Sequence, residues 1–328
     1  MITFWVTILA LSILFYVLLD GFDLGVGILF GLIGGDTERR TMIGAVAPVW
    51  DGNETWLVVT AVVLWGAFPI VFSIVLSAFY LPLFLMLAGL ILRGVAFEYR
   101  AKTQRLRWIW DAAFAGGSLV AAFVQGLTVG SLVEGLPIVG MLYTGGPFGW
   151  LSPFAVLCGV GLSIGYALLG ASWLVKKCDG KVRESAYRLI PFLSIGLLVF
   201  LIVVFIYALA ENLQVMHRWF ERPILFAFPL TGALAALVLA HDVIYRRDGT
   251  AFYMVTLIFS AAFGTLAISF WPYMIPFSIT IDSAAAPQSS LAFMFWGAGL
   301  FVFPLMLVYT AISYFAFHGK AKADAGEY

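Results

Sequence analysis

The feature that most limits what this chain can fold into is a series of long, nearly charge-free apolar segments. Short connections between them hold most of its charge. Residues 2–19 carry no ionisable charge, and Asp20 and Asp23 interrupt only briefly before the apolar stretch 24–35. Nine such segments follow one another, near 3–33, 42–66, 73–99, 111–134, 152–175, 188–210, 223–244, 251–273 and 290–316. About 20 apolar residues match the hydrocarbon thickness of a bilayer. In lipid an open-ended segment can satisfy its own backbone only as an α-helix. The chain is therefore read as an all-α integral membrane protein with nine transmembrane helices. Only 11% of its 328 residues are charged and 62% are hydrophobic, whereas a water-soluble domain carries about a quarter charged residues. The first segment lacks the basic start and small-residue cleavage site of a signal peptide, so it counts as a span.

The basic residues set the orientation. They follow segment 1 (Arg39, Arg40), segment 3 (Arg100, Lys102, Arg105, Arg107), segment 5 (Lys176, Lys177, Lys181, Arg183, Arg188), segment 7 (Arg246, Arg247) and segment 9 (Lys320, Lys322). These make 15 of the 18 basic residues, and the alternate connections hold only Arg218 and Arg222. The positive-inside rule places the N-terminus outside and the C-terminus in the cytoplasm. Acidic and basic residues balance at 18 each, which leaves no surplus for nucleic acid. Cys158 and Cys178 form neither a metal-ligand spacing nor a disulfide framework. Segments 3 and 7 share a faint parallel pattern, Pro82-Leu83 before Arg100 and Pro229-Leu230 before Arg247.

Ionisable residues inside a span are costly and point to function. Segment 1 carries Asp20 and Asp23 on one helix face, among glycines at positions 21, 25, 27 and 31 that let another helix approach closely. Segment 2 carries Trp50-Asp51-Gly52-Asn53-Glu54-Thr55-Trp56, and segment 3 carries Arg93 and Glu98. At 1.5 Å per residue, Asp23 lies about 16 Å and Asp51 about 15 Å from the cytoplasmic ends of their helices. Arg93 lies at about 10 Å and Glu98 near the surface. Such a ladder resembles a proton-uptake half-channel. The alternatives are a buried Arg93–carboxylate pair that only fixes helix packing, and a proton-coupled secondary transporter that uses the same acids. Gln125 reads as an ordinary helix-bonding residue, and His241-Asp242 as an interfacial pair. Haem iron needs axial His, Met, Cys or Tyr inside the bundle. His217, His241 and His318 all fall toward segment ends or connections, so a redox role requires a partner that carries the metals.

Taken together, Asp20-Gly21-Phe22-Asp23-Leu24-Gly25-Val26-Gly27, Ala47-Pro48-Val49-Trp50-Asp51-Gly52-Asn53-Glu54-Thr55-Trp56 and Arg93-Gly94-Val95-Ala96-Phe97-Glu98-Tyr99-Arg100 carry a resemblance. With Trp110-Asp111 and Phe270-Trp271-Pro272-Tyr273-Met274-Ile275-Pro276, the chain resembles subunit II of the cytochrome bd-type quinol oxidases, closer to the cyanide-insensitive branch. The resemblance implies two four-helix bundles (3–134 and 152–273) and a peripheral helix (290–316). It implies a partner, the haem-bearing subunit I, with haem b and haem d or a further haem b, and no haem ligated by this chain. Some relatives also hold a quinone in this subunit, and a small accessory subunit belongs to some complexes. The complex of such subunits oxidises quinol in the bacterial cytoplasmic (inner) membrane and reduces dioxygen to water. By resemblance the proton path is Asp23, Asp51 and Glu98, the last often Asp in relatives, with Asp20, Trp50, Asn53, Glu54, Arg93 and Asp111 in support. The partner is expected to dock on the glycine-rich face of segment 1 or on another small-residue surface.

Overall fold

A computed structural model describes residues 1–211 and 213–321, so Lys322, counted above, lies outside the described residues. The helices are α1 (Ile2–Phe30), α2 (Asp36–Val46), α3 (Trp50–Ala67), α4 (Pro69–Lys102), α5 (Arg107–Glu134), α6 (Pro153–Lys177) and α7 (Gly180–Ala210). After these come α8 (Gln214–Glu221), α9 (Pro223–Ile244), α10 (Asp248–Phe270), the short α11 (Ile281–Ala284) and α12 (Gln288–Ala316). Two small antiparallel hairpins, β1 (Ile138–Val139) with β2 (Leu142–Tyr143) and β3 (Tyr273–Ile275) with β4 (Ile279–Thr280), lie in connections.

Among the described residues, eight helices are long and apolar enough to cross a membrane: α1, α4, α5, α6, α7, α9, α10 and α12. The continuous second span expected over 42–66 is instead broken at 47–49 into α2 and α3. Pro48 supplies the reason. It has no N–H for the helix ladder and its ring clashes with the carbonyl four residues earlier. Ala47 itself stays helical at φ −48° and ψ −37°, and the chain leaves helical geometry at Val49, φ −127° and ψ −17°. The 18 residues of α3 would be about 27 Å long. In α4, Pro82 is accommodated by a kink, where Phe79 leaves helical geometry at φ −116° and ψ 19°. In α1 a five-residue π turn, Tyr16–Asp20, joins two α-helical halves.

The centre of the molecule is α6, which is buried without interruption from Gly165 to Val175 and packs on α5, α7, α10 and the second half of α1. The α1–α6 crossing is tight enough to exclude any side chain. A Cβ on Gly25 would stand 1.8 Å from the Tyr166 carbonyl oxygen, and one on Gly170 2.4 Å from the Gly25 carbonyl carbon. A Cβ on Gly27 would meet Ser118 of α5. The glycine-rich face of segment 1 is therefore spent within the chain, and a partner has to dock elsewhere. Phe22 stacks on Trp173 at 4.2 Å in the same core. A second core joins the first half of α1 to α3, α4 and the start of α12, where the Trp5 indole N–H donates to the Leu291 carbonyl at 3.1 Å.

Most of the basic residues gather at one end. Arg100, nearly buried, donates to Asp111 at 2.5 Å and to Asp36 at 3.0 Å, and Arg39 reaches Asp111 at 2.7 Å. Arg183 pairs with Asp248 at 2.8 Å, Arg246 with Glu184 at 2.7 Å, and Lys181 with Glu38 at 3.5 Å. These pairs tie the connections after α1, α4, α6 and α9 together. At the opposite end Arg218 donates to the carbonyls of Ser269 and Trp271, at 3.3 and 2.5 Å.

Candidate functional site

The π turn of α1 carries the site. Its closing bond runs from the Gly21 N–H to the Tyr16 carbonyl, so the helix widens by one residue just where Tyr16 and Asp20 face the interior. Asp20 lies about 15 Å from the end of α1 at Phe30, close to half the hydrocarbon thickness. Asp20 and Asp23 are both fully buried.

Arg93 of α4 stands between two carboxylates. Its Nη1 lies 2.8 Å from Asp20 Oδ1 and its Nη2 donates to Glu54 Oε2 at 2.9 Å. Arg93 is 1% exposed, whereas the Glu54 side chain is 27% exposed and opens to the outside of the bundle. A charge this deep is tolerated only with partners of opposite sign. Asp23 takes a different partner: Asn53 Nδ2 donates to its Oδ2 at 2.7 Å, and Tyr314 of α12 donates to Asn53 Oδ1 at 2.9 Å. Asp23 Oδ1 is buried with no hydrogen-bond partner.

A polar chain continues from Asp20 into α5 and α6. Tyr166 donates to Gln125 Oε1 and Gln125 Nε2 donates to the Tyr16 hydroxyl, each at 2.8 Å. Because Tyr16 accepts from Gln125, its own proton is left to donate. Apart from the Arg93 ion pair, neither carboxylate oxygen of Asp20, four residues along the same helix, has a hydrogen-bond partner among the described residues. The site thus gathers three carboxyl groups, one guanidinium, two amides and three phenols from six helices.

Of the residues singled out from sequence, the structure brings together Asp20, Asp23, Asn53, Glu54 and Arg93. Trp50 stacks on Phe97 at 4.7 Å, one turn away. Asp51, Glu98 and Asp111 lie outside the cluster. Asp51 is exposed in the first turn of α3, not about 15 Å along a continuous helix, because the break at 47–49 restarts the helix there. Glu98 is exposed and pairs with Lys102 one turn on at 3.1 Å. Asp111 belongs to the charged lacing with Arg39 and Arg100. In that lacing, burial acts to raise the Asp36 carboxyl, but the Arg100 hydrogen bond and the Arg107, Arg100 and Arg40 charges outweigh it. They hold it below the usual carboxylate range. Tyr16, Tyr166 and Tyr314 escaped the sequence reading, and Gln125 was read there only as an ordinary helix-bonding residue. The only signal for them was a polar tip inside an apolar span, which packing accounts for equally well.

Among the described residues no group of three or more His, Cys, Asp and Glu side chains could hold a metal ion. His217 lies on α8, His241 near the end of α9 and His318 beyond α12, so no histidine stands at mid-span.

Comparison with known proteins gives a consistent set of relatives. A family model described as cytochrome bd terminal oxidase subunit II matches residues 1–317. The chain is 33% identical to the probable cytochrome oxidase subunit 2 of Haemophilus influenzae, across 98% of this chain and 94% of that one. It is 31% identical to the cytochrome bd-I ubiquinol oxidase subunit 2 of Escherichia coli K12, across 98% and 95%. A chain in the solved structure of the bd oxidase from Geobacillus thermodenitrificans superposes with a TM-score of 0.79 at 16% identity, across 97% of both chains, and shares its fold.

Proposed function

Starting from the fact that the chain belongs to the subunit II family of the cytochrome bd terminal oxidases, we propose that its buried acids relay protons from the cytoplasm toward the site of dioxygen reduction. The chain is a multi-pass protein of the bacterial inner membrane and a subunit of a quinol oxidase complex. The family membership displaces the transporter alternative. The charged end is taken as cytoplasmic by the positive-inside rule, with α3 as a ninth span. On this reading subunit I carries the haems and takes the quinol. This chain holds subunit I in place and supplies protons to it.

The observation that carries the reading is the mid-membrane cluster. Three carboxyl groups around one guanidinium offer more proton positions than fixed positive charges. The site can therefore take up and release a proton while the Arg93 contacts stay made. The partly open Glu54 is the group through which the cluster meets whatever covers that face. Asp51 and Glu98, at the charged end, act as collecting groups near the surface.

The test is oxygen consumption per haem in complexes of normal subunit stoichiometry. Asp23→Asn keeps shape and hydrogen bonding but removes the titrating proton, and it is expected to slow turnover at least tenfold. Asp51→Asn should slow it less and Glu98→Gln least, because surface groups are bypassed by water. Full turnover per haem in Asp23→Asn would show the acids to be packing partners only.

A further inference from the structure

Beyond Ala316 the chain turns back across the charged end of α6 as a strap, residues 317–321. Lys177 Nζ donates to the carbonyls of Phe317 and Gly319, the latter at 3.0 Å, and the Ala321 N–H donates to the Lys177 carbonyl at 2.7 Å. Lys320 Nζ donates to the Cys178 carbonyl and pairs with Asp179, both at 3.2 Å. Lys177 is 8% exposed, and among the described residues no carboxylate lies within ion-pair distance of it. Its charge is held by the strap carbonyls, by the negative end of the α6 dipole and by the Trp173 ring at 5.2 Å.

Beneath the strap lies a cavity of about 270 Å³, lined by Ala45, Val49, Trp173, Lys177, Tyr314 and Gly319 among others. It has room for several waters at about 30 Å³ each. One wall is the 47–49 break between α2 and α3. Another is Tyr314, which points through Asn53 to Asp23.

Resting on the proton-transfer reading above, we infer that this cavity is the aqueous mouth through which Asp23 exchanges protons, with Tyr314 as its inner wall and the strap as its lid. The hydrogen bonds run inward, Tyr314 to Asn53 to Asp23, and make Asp23 the terminal acceptor. An amide does not hand on its N–H protons, so Asn53 holds Asp23 in place without conducting. The proton travels instead from cavity water past a displaced Tyr314 to the unpartnered Asp23 Oδ1; one proton moves and no electron does.

Ala316 lines the cavity and is exposed, so Ala316→Cys places a thiol at its rim. The native Cys158 and Cys178 are buried, and burial pushes the Cys178 thiol up to about 12, out of reach of thiol reagents at neutral pH. The assembled complex is treated with a small cationic methanethiosulfonate, with the wild-type complex as control. Labelling of Asp23 by a water-soluble carbodiimide and turnover per haem are then measured. The expected result is a severalfold fall in both. Unchanged Asp23 labelling overturns the mouth, and slowed labelling with unchanged turnover overturns its role as the proton route. Lys177→Met, which frees the strap, should raise the labelling rate severalfold, and an unchanged rate overturns the lid. Full turnover in Asp23→Asn sinks the relay reading itself, and the labelling arms are read independently of it.

Discussion

Arg93 sits where a single side chain decides whether the interior is electrically tolerable. It faces Asp20 and Glu54, and both it and Asp20 are shut off from solvent. Replacing one partner of a buried ion pair typically costs about 3–5 kcal/mol, because the other charge is left uncompensated. Arg93→Met should therefore lower the thermal midpoint of the detergent-solubilised complex sharply. Adding Asp20→Leu should recover part of the loss, since the stranded carboxylate goes with it; a double variant no better than the single would show that Asp20 is not what Arg93 neutralises. The acids and Arg93 were legible in the sequence because charge inside an apolar run has no cheap explanation. The phenols and Gln125 were not, since each also reads as packing, and only the folded arrangement shows Tyr166, Gln125 and Tyr16 in one line. Asp51 was legible as a member of a motif but misplaced in depth, and the signal passed over was Pro48.

Helices were legible as elements, and their joints less so. The charged positions Lys181, Arg183 and Arg188 read as a connection, yet α7 begins at Gly180 and carries them as helical turns at the charged end. A helix that leaves the bilayer into water has no reason to stop, because its charged side chains solvate there. Close crossings were half legible: the small-residue spacing of segment 1 was plain, but not which helix it meets. The structure separates two kinds of glycine. Gly25→Ala drives a methyl into the α6 backbone and is expected to abolish accumulation of folded protein, because neither helix can retreat without opening the core. Gly116→Ala, in the middle of α5 with open space around it, should be neutral or stabilise by up to about 1 kcal/mol. Thermal midpoints and membrane yields of the two variants check this, and equal tolerance would mean that the α1–α6 contact is loose.

At the scale of the whole molecule, one end is laced by ion pairs that no single helix could form. The Asp36 carboxyl is held below its ordinary value, so its contribution is complete above the unfolded value near about 4. It is lost as pH falls through the lowered folded value. Hydrogen exchange of α2 should accordingly rise as pH drops below about 4. The rise should be absent in Asp36→Asn after correction for the intrinsic exchange rate, and identical profiles would remove Asp36 from the account. High salt should loosen the exposed pairs, such as Lys181 with Glu38, before the nearly buried Arg100. Expressed without subunit I, the chain should purify with no haem spectrum and no quinol oxidase activity, and either signal would place a haem in this chain. The strap has a further consequence, in time. The carbonyl of Phe317 that Lys177 needs lies 140 residues downstream of it. At about 5–20 residues per second the ribosome takes on the order of ten seconds or more to deliver it. Until then the ammonium at the end of α6 has only its own helix end, the Trp173 ring and water for partners, and the central helix cannot draw its last turn under cover. The innermost element of the molecule is thus finished by one of the later segments to be synthesised, and a nascent chain stalled before 317 should remain marked by an exposed lysine.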